Sequence, residues 1–388
     1  MDGCIVGWAH SRFGKLEGED VETLIGRVTG EALADAGVEA ADVDAIVLGH
    51  FNAGFSAQDF TAPLVVSADP AFRFKPAFRV ENACATGSAA VHAGLDLLAA
   101  RRARVVLVVG VEKMTESAPE DIARNLLKAS YVKEEGATAG GFAGVFAKIA
   151  DAYFQKHGDK SDALARIAAK NHRNGCANPY AQIRKDLGYE FCRAVSDKNP
   201  IVAGRLRRTD CSLVSDGAAA VVLADPGTAL AMGKAVAVRA TARVTDVLPM
   251  SRRDPTRFEG AAQAWRQALG AARLGLSDLD LVEVHDCFTI AELLIYEAMG
   301  LAPEGEGARA IEEGWSERNG RLPVNPSGGL KAKGHPIGAT GVSMHALAAM
   351  QVTGRAGDMQ IADATLAAVF NMGGTAVANY VSILERLR

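Results

Sequence analysis

Asp278-Leu279-Asp280-Leu281-Val282-Glu283-Val284-His285-Asp286-Cys287-Phe288 reads as a buried strand that follows an acidic turn and ends on two chemically capable groups, His285 and Cys287. A similar design occurs earlier, in Asp42-Val43-Asp44-Ala45-Ile46-Val47-Leu48-Gly49-His50-Phe51. In each, an Asp-x-Asp turn leads into a short apolar run, the pattern of a strand covered on both faces. The echo extends outward. Ala85-Thr86-Gly87 opens a helix in the first half and Ala339-Thr340-Gly341 opens one in the second. Val105 to Met114 has a later counterpart in Leu366 to Met372. Three matched elements in the same order predict an internal duplication of an α/β unit.

The chain has 388 residues, enough for two or three lobes, and 49% of it is hydrophobic. A formal net charge of −4 gives no reason to expect nucleic-acid binding. No window offers the roughly 18 apolar residues of a membrane span. The start, Met1-Asp2-Gly3-Cys4, does not resemble a secretory leader, and the end, Glu385 to Arg388, does not resemble a peroxisomal address. The six cysteines are scattered without a Cys-x-x-Cys pair, which speaks against zinc or a disulfide framework and for a reducing, cytoplasmic location. Residues 115 to 210 are richer in polar groups, with Asn-Pro pairs at 178–179 and 199–200, and read as an inserted loop region or small subdomain. The expected division is therefore 1–114 with 211–232, an insert at 115–210, and 233–388.

Four places can carry chemistry. His335 lies in a loop with five glycines (Gly328, Gly329, Gly334, Gly338, Gly341), with Pro336 fixing the backbone after it. The helix beyond is expected from Val342 to Met350. Such a rigid turn suits a positioned acid, base or hydrogen-bond donor. Cys84, in Asn82-Ala83-Cys84-Ala85-Thr86-Gly87, precedes a helix running to about Ala100. The helix dipole and free amides there would lower its pKa, and its own N–H could face an oxyanion. Cys4, Cys176, Cys192 and Cys211 read as incidental buried thiols. His285 and Cys287 share one side of an extended strand end, with Asp286 pointing away as a possible helix cap. Asn371-Met372-Gly373-Gly374 follows a buried strand, and the N–H of Gly373 is a second candidate oxyanion donor.

Together these blocks resemble the thiolase family over nearly the whole chain. Asn82 to Gly87 resembles its nucleophile motif. Gly334-His335-Pro336 with Gly338 to Gly341 is similar to its specific histidine motif. Ser215-Asp216-Gly217-Ala218-Ala219-Ala220 resembles the strand closing the first half, and His285 to Phe288 resembles the His-Asp-Cys-Phe loop of the sterol-carrier-protein-2 type. One departure accompanies this. Where ordinary thiolases carry a second catalytic cysteine in a Cys-x-Gly motif, this chain has Asn371, Met372 and Gly373. That subtype also lacks it, with the cysteine of the His-Asp-Cys-Phe loop taking its place, here Cys287.

The resemblance implies a duplicated α-β-α-β-α five-layer fold with an inserted loop domain, and a homodimer or homotetramer. It implies acyl transfer between coenzyme A thioesters in lipid metabolism, such as fatty acid β-oxidation. Coenzyme A would be substrate or product, with no tightly bound cofactor and no metal. Cys84 would form the acyl-enzyme, His335 would take its proton, and Cys287 would move the second proton. His285 and His335 would stabilise an enolate, with the N–H groups of Cys84 and Gly373 holding the tetrahedral oxyanion. Lys331, Lys333, Arg252, Arg253 and Arg257 could meet coenzyme A phosphates, though solvated surface is the simpler reading of each. Two rivals remain. A decarboxylating ketoacyl synthase would use Cys84, His285 and His335 but has no need of Cys287. A thiolase-like partner or aldolase subunit, beside a small acyl-CoA-binding protein, has no need of Cys84.

Overall fold

The computed structural model describes residues 3–387. Its centre is a nine-stranded mixed sheet in the order β3-β2-β4-β7-β1-β8-β11-β10-β9. The strands of the first half are β1 (Cys4–His10), β2 (Ala45–Gly49), β3 (Ala77–Val80), β4 (Val105–Glu112) and β7 (Gly217–Ala224). Those of the second are β8 (Val236–Thr245), β9 (Leu281–Val284), β10 (Leu366–Gly373) and β11 (Ala378–Arg386). A separate hairpin joins β5 (Ile201–Ala203) to β6 (Leu206–Arg207).

The duplication is visible in the strand order. Within the first half the sequence β2-β4-β7-β1 repeats in the second as β9-β10-β11-β8, and the halves meet where β1 pairs with β8. The sense of pairing repeats too. β2 runs parallel to β4 and β9 parallel to β10, whereas β4–β7 and β10–β11 are antiparallel. The two acidic turns do the same work in each half. Asp44 accepts the N–H groups of Arg104 (2.7 Å) and Val105 (3.0 Å) at the start of β4. Asp280 accepts those of Thr365 (2.8 Å) and Leu366 (2.9 Å) at the start of β10. Each aspartate thereby sets the register of the neighbouring strand.

Continuous apolar runs are explained by burial on both faces. In β4, Val106 and Val108 belong to the central core, and Val105, Leu107 and Val109 to an outer one. The outer core lies under the helix Val21–Ala36, started by a capping box between Asp20 and Thr23 and ended by Gly37 in the left-handed region. The central core is filled by two helices, Thr86–Ala99 and Ile337–Val352, packed against each other and against both halves of the sheet. The helix Glu259–Ala272 covers β8 and β11 on the far side. Five layers result, as the resemblance implies. Every residue of Ile337–Val352 is buried, as a central layer requires.

Two expectations are refined. The second central helix begins at Ile337, directly after Pro336, rather than at Val342. Pro336 occupies the cap and its fixed φ suits helix entry, so Ala339-Thr340-Gly341 lies in the helix rather than opening it. Of the two readings of residues 115 to 210, a small subdomain fits rather than a loop: they contain the helices Pro119–Leu127, Gly141–His157 and Ser161–Gly175. Polar residues there mark the outer faces of helices, not absence of structure.

Candidate active site

Cys84 is aimed by a strained turn. Ala83 before it has φ 49°, unusual for a residue with a side chain. The turn is held because Thr86 Oγ1 donates to the Ala83 carbonyl (2.6 Å) and accepts the Asn82 N–H (2.8 Å). Strain maintained by such bonds is a common mark of functional positions. His335 is held at its own end. Its N–H donates to Ser215 Oγ (3.0 Å), and its Nδ1 lies 2.7 Å from Thr340 Oγ1. Thr340 Oγ1 donates to the Pro336 carbonyl (2.9 Å), so it accepts from Nδ1–H and leaves a lone pair on Nε2.

His285 ends β9, and a wholly buried polar network fixes that end. Asn325 accepts the Val284 N–H (2.8 Å) and donates to Glu292 (3.0 Å). Glu292 pairs with Lys170 (2.5 Å) and accepts from Asn171 (2.6 Å). Asp286 serves structure, as expected, by capping a helix. It accepts the N–H groups of Leu330 (2.7 Å) and Lys331 (3.2 Å), opening the short helix Gly329–Lys333 that leads to His335. Burial and neighbouring Glu292 push its carboxyl up to about 7.

The structure brings Cys84, His285 and His335 together. The sulfur and one nitrogen from each ring all lie within 4.8 Å of one another, and the rings meet edge to face with centroids 5.0 Å apart. Among the described residues, Nε2 of both rings has no hydrogen-bond partner. Cys287 lines the same cavity as Cys84 and His335. That cavity, about 210 Å³, is otherwise mostly apolar, walled by Met114, Ile122, Leu126, Phe142 and Phe288. A larger groove of about 500 Å³, between the helices Glu259–Ala272 and Thr289–Ala298, contains none of these cysteines or histidines.

The electrostatics differ from expectation at Cys84. Burial outweighs the amides and pushes the thiol up to about 12, with Glu112 and Glu81 adding to the rise. The nearby amides that oppose this are its own and that of Gly374, one residue beyond the expected Gly373. Cys287 is likewise raised by burial, then by Cys84 and Asp286. Burial, assisted by Lys333, lowers His335 to about 3, and burial with His335 and Lys333 lowers His285 well below its ordinary value. At neutral pH the site is a thiol facing two neutral imidazoles, so a proton leaves sulfur only as a base receives it.

Lys331 and Lys333 are buried, not solvated surface. Lys331 donates to the Cys211 carbonyl and Lys333 to Ser343 Oγ (2.9 Å), so both brace the histidine loop. Arg252 and Arg257 are exposed, whereas Arg253 is half-buried and donates to the Thr375 carbonyl (2.6 Å). Cys211 lines the cavity, which its sequence context did not signal. Two organising residues also escaped the sequence reading. Asn371 Nδ2 lies 3.1 Å from the Cys84 carbonyl and 2.8 Å from His285 Nδ1. Glu112, at the end of β4, accepts the N–H groups of Phe51 (3.1 Å), Asn52 (3.0 Å) and Gly338 (2.9 Å).

A cysteine between two neutral histidines at the heart of a duplicated five-layer fold marks a cysteine acyltransferase. The thiolase N-terminal domain matches residues 4–187, and the thiolase C-terminal domain-like family matches residues 242–386. The chain belongs to the thiolase family. It is 37% identical over 390 residues to an acetyl-CoA acetyltransferase of Methanothermobacter thermautotrophicus, covering 99% of this chain and all of that one. Human sterol carrier protein 2 is 35% identical over 77% of this chain, which spans 56% of that longer protein. Among solved structures, an Ltp2-ChsH2(DUF35) aldolase superposes with a TM-score of 0.85 at 22% identity, covering all of this chain and 98% of that one. Human mitochondrial 3-ketoacyl-CoA thiolase in complex with CoA gives 0.76 at 18% identity, with the same coverage. At these identities the two superpositions establish the fold.

Proposed function

We propose that the protein transfers acyl groups between coenzyme A thioesters through an acyl-Cys84 intermediate, either joining two acetyl units or cleaving a 3-oxoacyl-CoA. The convergence of the Cys84 sulfur with the imidazoles of His285 and His335, whose Nε2 atoms have no partner among the described residues, carries this reading. His335 Nε2 accepts the thiol proton as sulfur attacks the thioester carbonyl. The N–H groups of Cys84 and Gly373 are the proposed donors to the resulting oxyanion, with the amide of Gly374, which reaches the Cys84 thiol, beside them. The tetrahedral adduct collapses, expelling coenzyme A thiolate, which takes up the proton from His335. In synthesis, once coenzyme A has left, Cys287 yields its own proton to His335 and as thiolate removes the α proton of a second acyl-CoA; the carbanion displaces Cys84, whose thiolate takes a proton back from His335. In degradation, Cys287 activates the incoming coenzyme A. Coenzyme A is a substrate throughout, and no tightly held cofactor or metal takes part.

The division into 1–114 with 211–232, 115–210 and 233–388 remains our proposal for domain boundaries. A homodimer through β3 is supported by that strand's place at the sheet edge and by exposed Phe60, Phe74 and Phe78 close to it in sequence. A thiolase-like partner complex has support from the 31% identity, over 74% of this chain, to the benzoylsuccinyl-CoA thiolase subunit BbsB of Thauera aromatica. Among the described residues no helix is long and apolar enough to cross a membrane. A cytoplasmic place and a role in β-oxidation remain proposals.

Initial-rate kinetics test the reaction. Parallel double-reciprocal lines for acetoacetyl-CoA against coenzyme A are expected from two half-reactions. Turnover of malonyl thioesters with none of acetoacetyl-CoA would instead indicate a decarboxylating synthase.

A further inference from the structure

We infer that Asn371 is a positioning residue that holds His285 as the Nε2–H tautomer, making it a hydrogen-bond donor where His335 is an acceptor. The amide orientation is settled by the backbone. Asn371 Nδ2 donates to the Cys84 carbonyl at 3.1 Å, and a carbonyl can only accept. Turning the amide over would set oxygen against oxygen. Its Oδ1 instead faces the backbone of Gly341, where a Cβ would lie 2.5 Å from it, and no donor reaches it. The second Nδ2 hydrogen is therefore free for His285 Nδ1 at 2.8 Å, which must accept. A neutral imidazole accepting at Nδ1 carries its proton on Nε2. His285 thus carries its proton on Nε2, whereas His335, donating from Nδ1 to Thr340, keeps a lone pair there. Two histidines in edge-to-face contact are given opposite roles by their outer partners.

This has two consequences. Under the acyl-Cys84 reading, on which only this consequence rests, His285 can donate to an enolate or thioester oxygen but cannot compete for the thiol proton. Independently of any reaction, the same tautomer protects the site from metal. Cys84, His285 and His335 form a compact sulfur–nitrogen–nitrogen set of the kind that binds zinc or cobalt, but only through unprotonated ring nitrogens. With Nε2–H held in place, His285 is not a ligand. Asn371→Asp should reverse this. The carboxylate oxygen that replaces Nδ2 is repelled by the Cys84 carbonyl and turns to His285, where it accepts the Nδ1 proton and moves the lone pair to Nε2, giving three ligand atoms for a metal ion.

The first test needs no variant. Nitrogen-15 spectra of histidine-labelled protein at pH 7, assigned with His285→Gln and His335→Gln, should show His285 protonated at Nε2 and His335 at Nδ1. Protonation of His285 at Nδ1 would overturn the inference, whatever the enzyme catalyses. In the second test Asn371→Asp is titrated with Co2+ alone, the thiol proton passing to solvent as the metal binds. The variant should develop thiolate–cobalt absorption at concentrations at least roughly 10-fold below any seen for wild type, and the added Cys84→Ala change should abolish it. Equal cobalt affinity of wild type and variant would contradict the inference. With acetyl-CoA, kcat should fall roughly 100-fold or more while KM moves far less, the signature of a lost transition-state donor. If the spectra show the assigned tautomers but no acyl transfer occurs in wild type, the proposed reaction fails and the role of Asn371 stands.

Discussion

Gly87 and Gly341, the glycines of the two repeated Ala-Thr-Gly segments, touch through their backbones: a Cβ on Gly87 would lie 2.6 Å from the Gly341 nitrogen. A Cβ on Gly341 would in turn lie 2.1 Å from the Ser88 nitrogen. The two central helices thus meet without side chains between them, just behind Cys84 and His335. Gly341→Ala should force them apart and lower stability by about 1–3 kcal/mol or more, because overpacking here meets backbone rather than a movable side chain. Urea unfolding would show it as a reduced midpoint with unchanged slope.

Glu112 serves the same junction from the sheet. Its carboxylate accepts three backbone N–H groups, two from the loop after β2 and one from the first turn of the helix Ile337–Val352, and lies 3.2 Å from His50 Nε2. Glu112→Leu leaves those donors buried and unpaired, so stability should fall by about 3 kcal/mol or more. Acyl transfer should fall too, since Gly338 lies in the first turn of the helix that follows His335. Glu112→Gln, which keeps an acceptor oxygen, should lie between the two.

The Lys170–Glu292 pair is wholly buried and ties the inserted region to the end of β9. Removing the cation with Lys170→Met leaves Glu292 uncompensated, with an expected loss of about 3–5 kcal/mol. Lys170→Met with Glu292→Leu should recover much of that loss in a double-mutant cycle.

Several histidines are buried and neutral. Burial lowers His10, His172 and His335 to about 3 and His345 to about 4. A base whose folded pKa is depressed binds fewer protons than it does unfolded once the pH drops below its ordinary value near 6.5. Stability is therefore intact above 6.5 and declines as pH falls toward 3, each such histidine contributing a slope of up to about 1.4 kcal/mol per pH unit. Acid unfolding followed by circular dichroism should begin well above the carboxylate range. Substituting His345 by Gln should flatten the decline.

Much of this was legible because burial on two faces leaves a plain trace in sequence. The apolar runs of β4, β7, β9 and β10 could be read directly, and the paired Asp-x-Asp turns revealed the duplication. Cys84 and His335 stood out because glycine-rich and strained turns require particular residues around them. Asn371 did not, since its role depends on two atoms from distant segments, the Cys84 carbonyl and His285 Nδ1. Lys331 and Lys333 were misread for a related reason. A lysine in sequence looks solvated, and only the fold supplies the carbonyl and hydroxyl that receive their protons. The rise of the Cys84 pKa was equally hidden: helix position suggested a lowered value, but the depth of burial is set by the opposite half of the molecule.

The central claim is a covalent acyl-enzyme on Cys84, and intact mass with peptide mapping tests it most directly. Wild type and Cys84→Ala would be incubated briefly with acetyl-CoA and with acetoacetyl-CoA. An acetyl adduct on Cys84 of the wild type, discharged by free coenzyme A and missing from the variant, is the predicted result. Full thiolytic activity in Cys84→Ala, or an adduct confined to another cysteine, would contradict it.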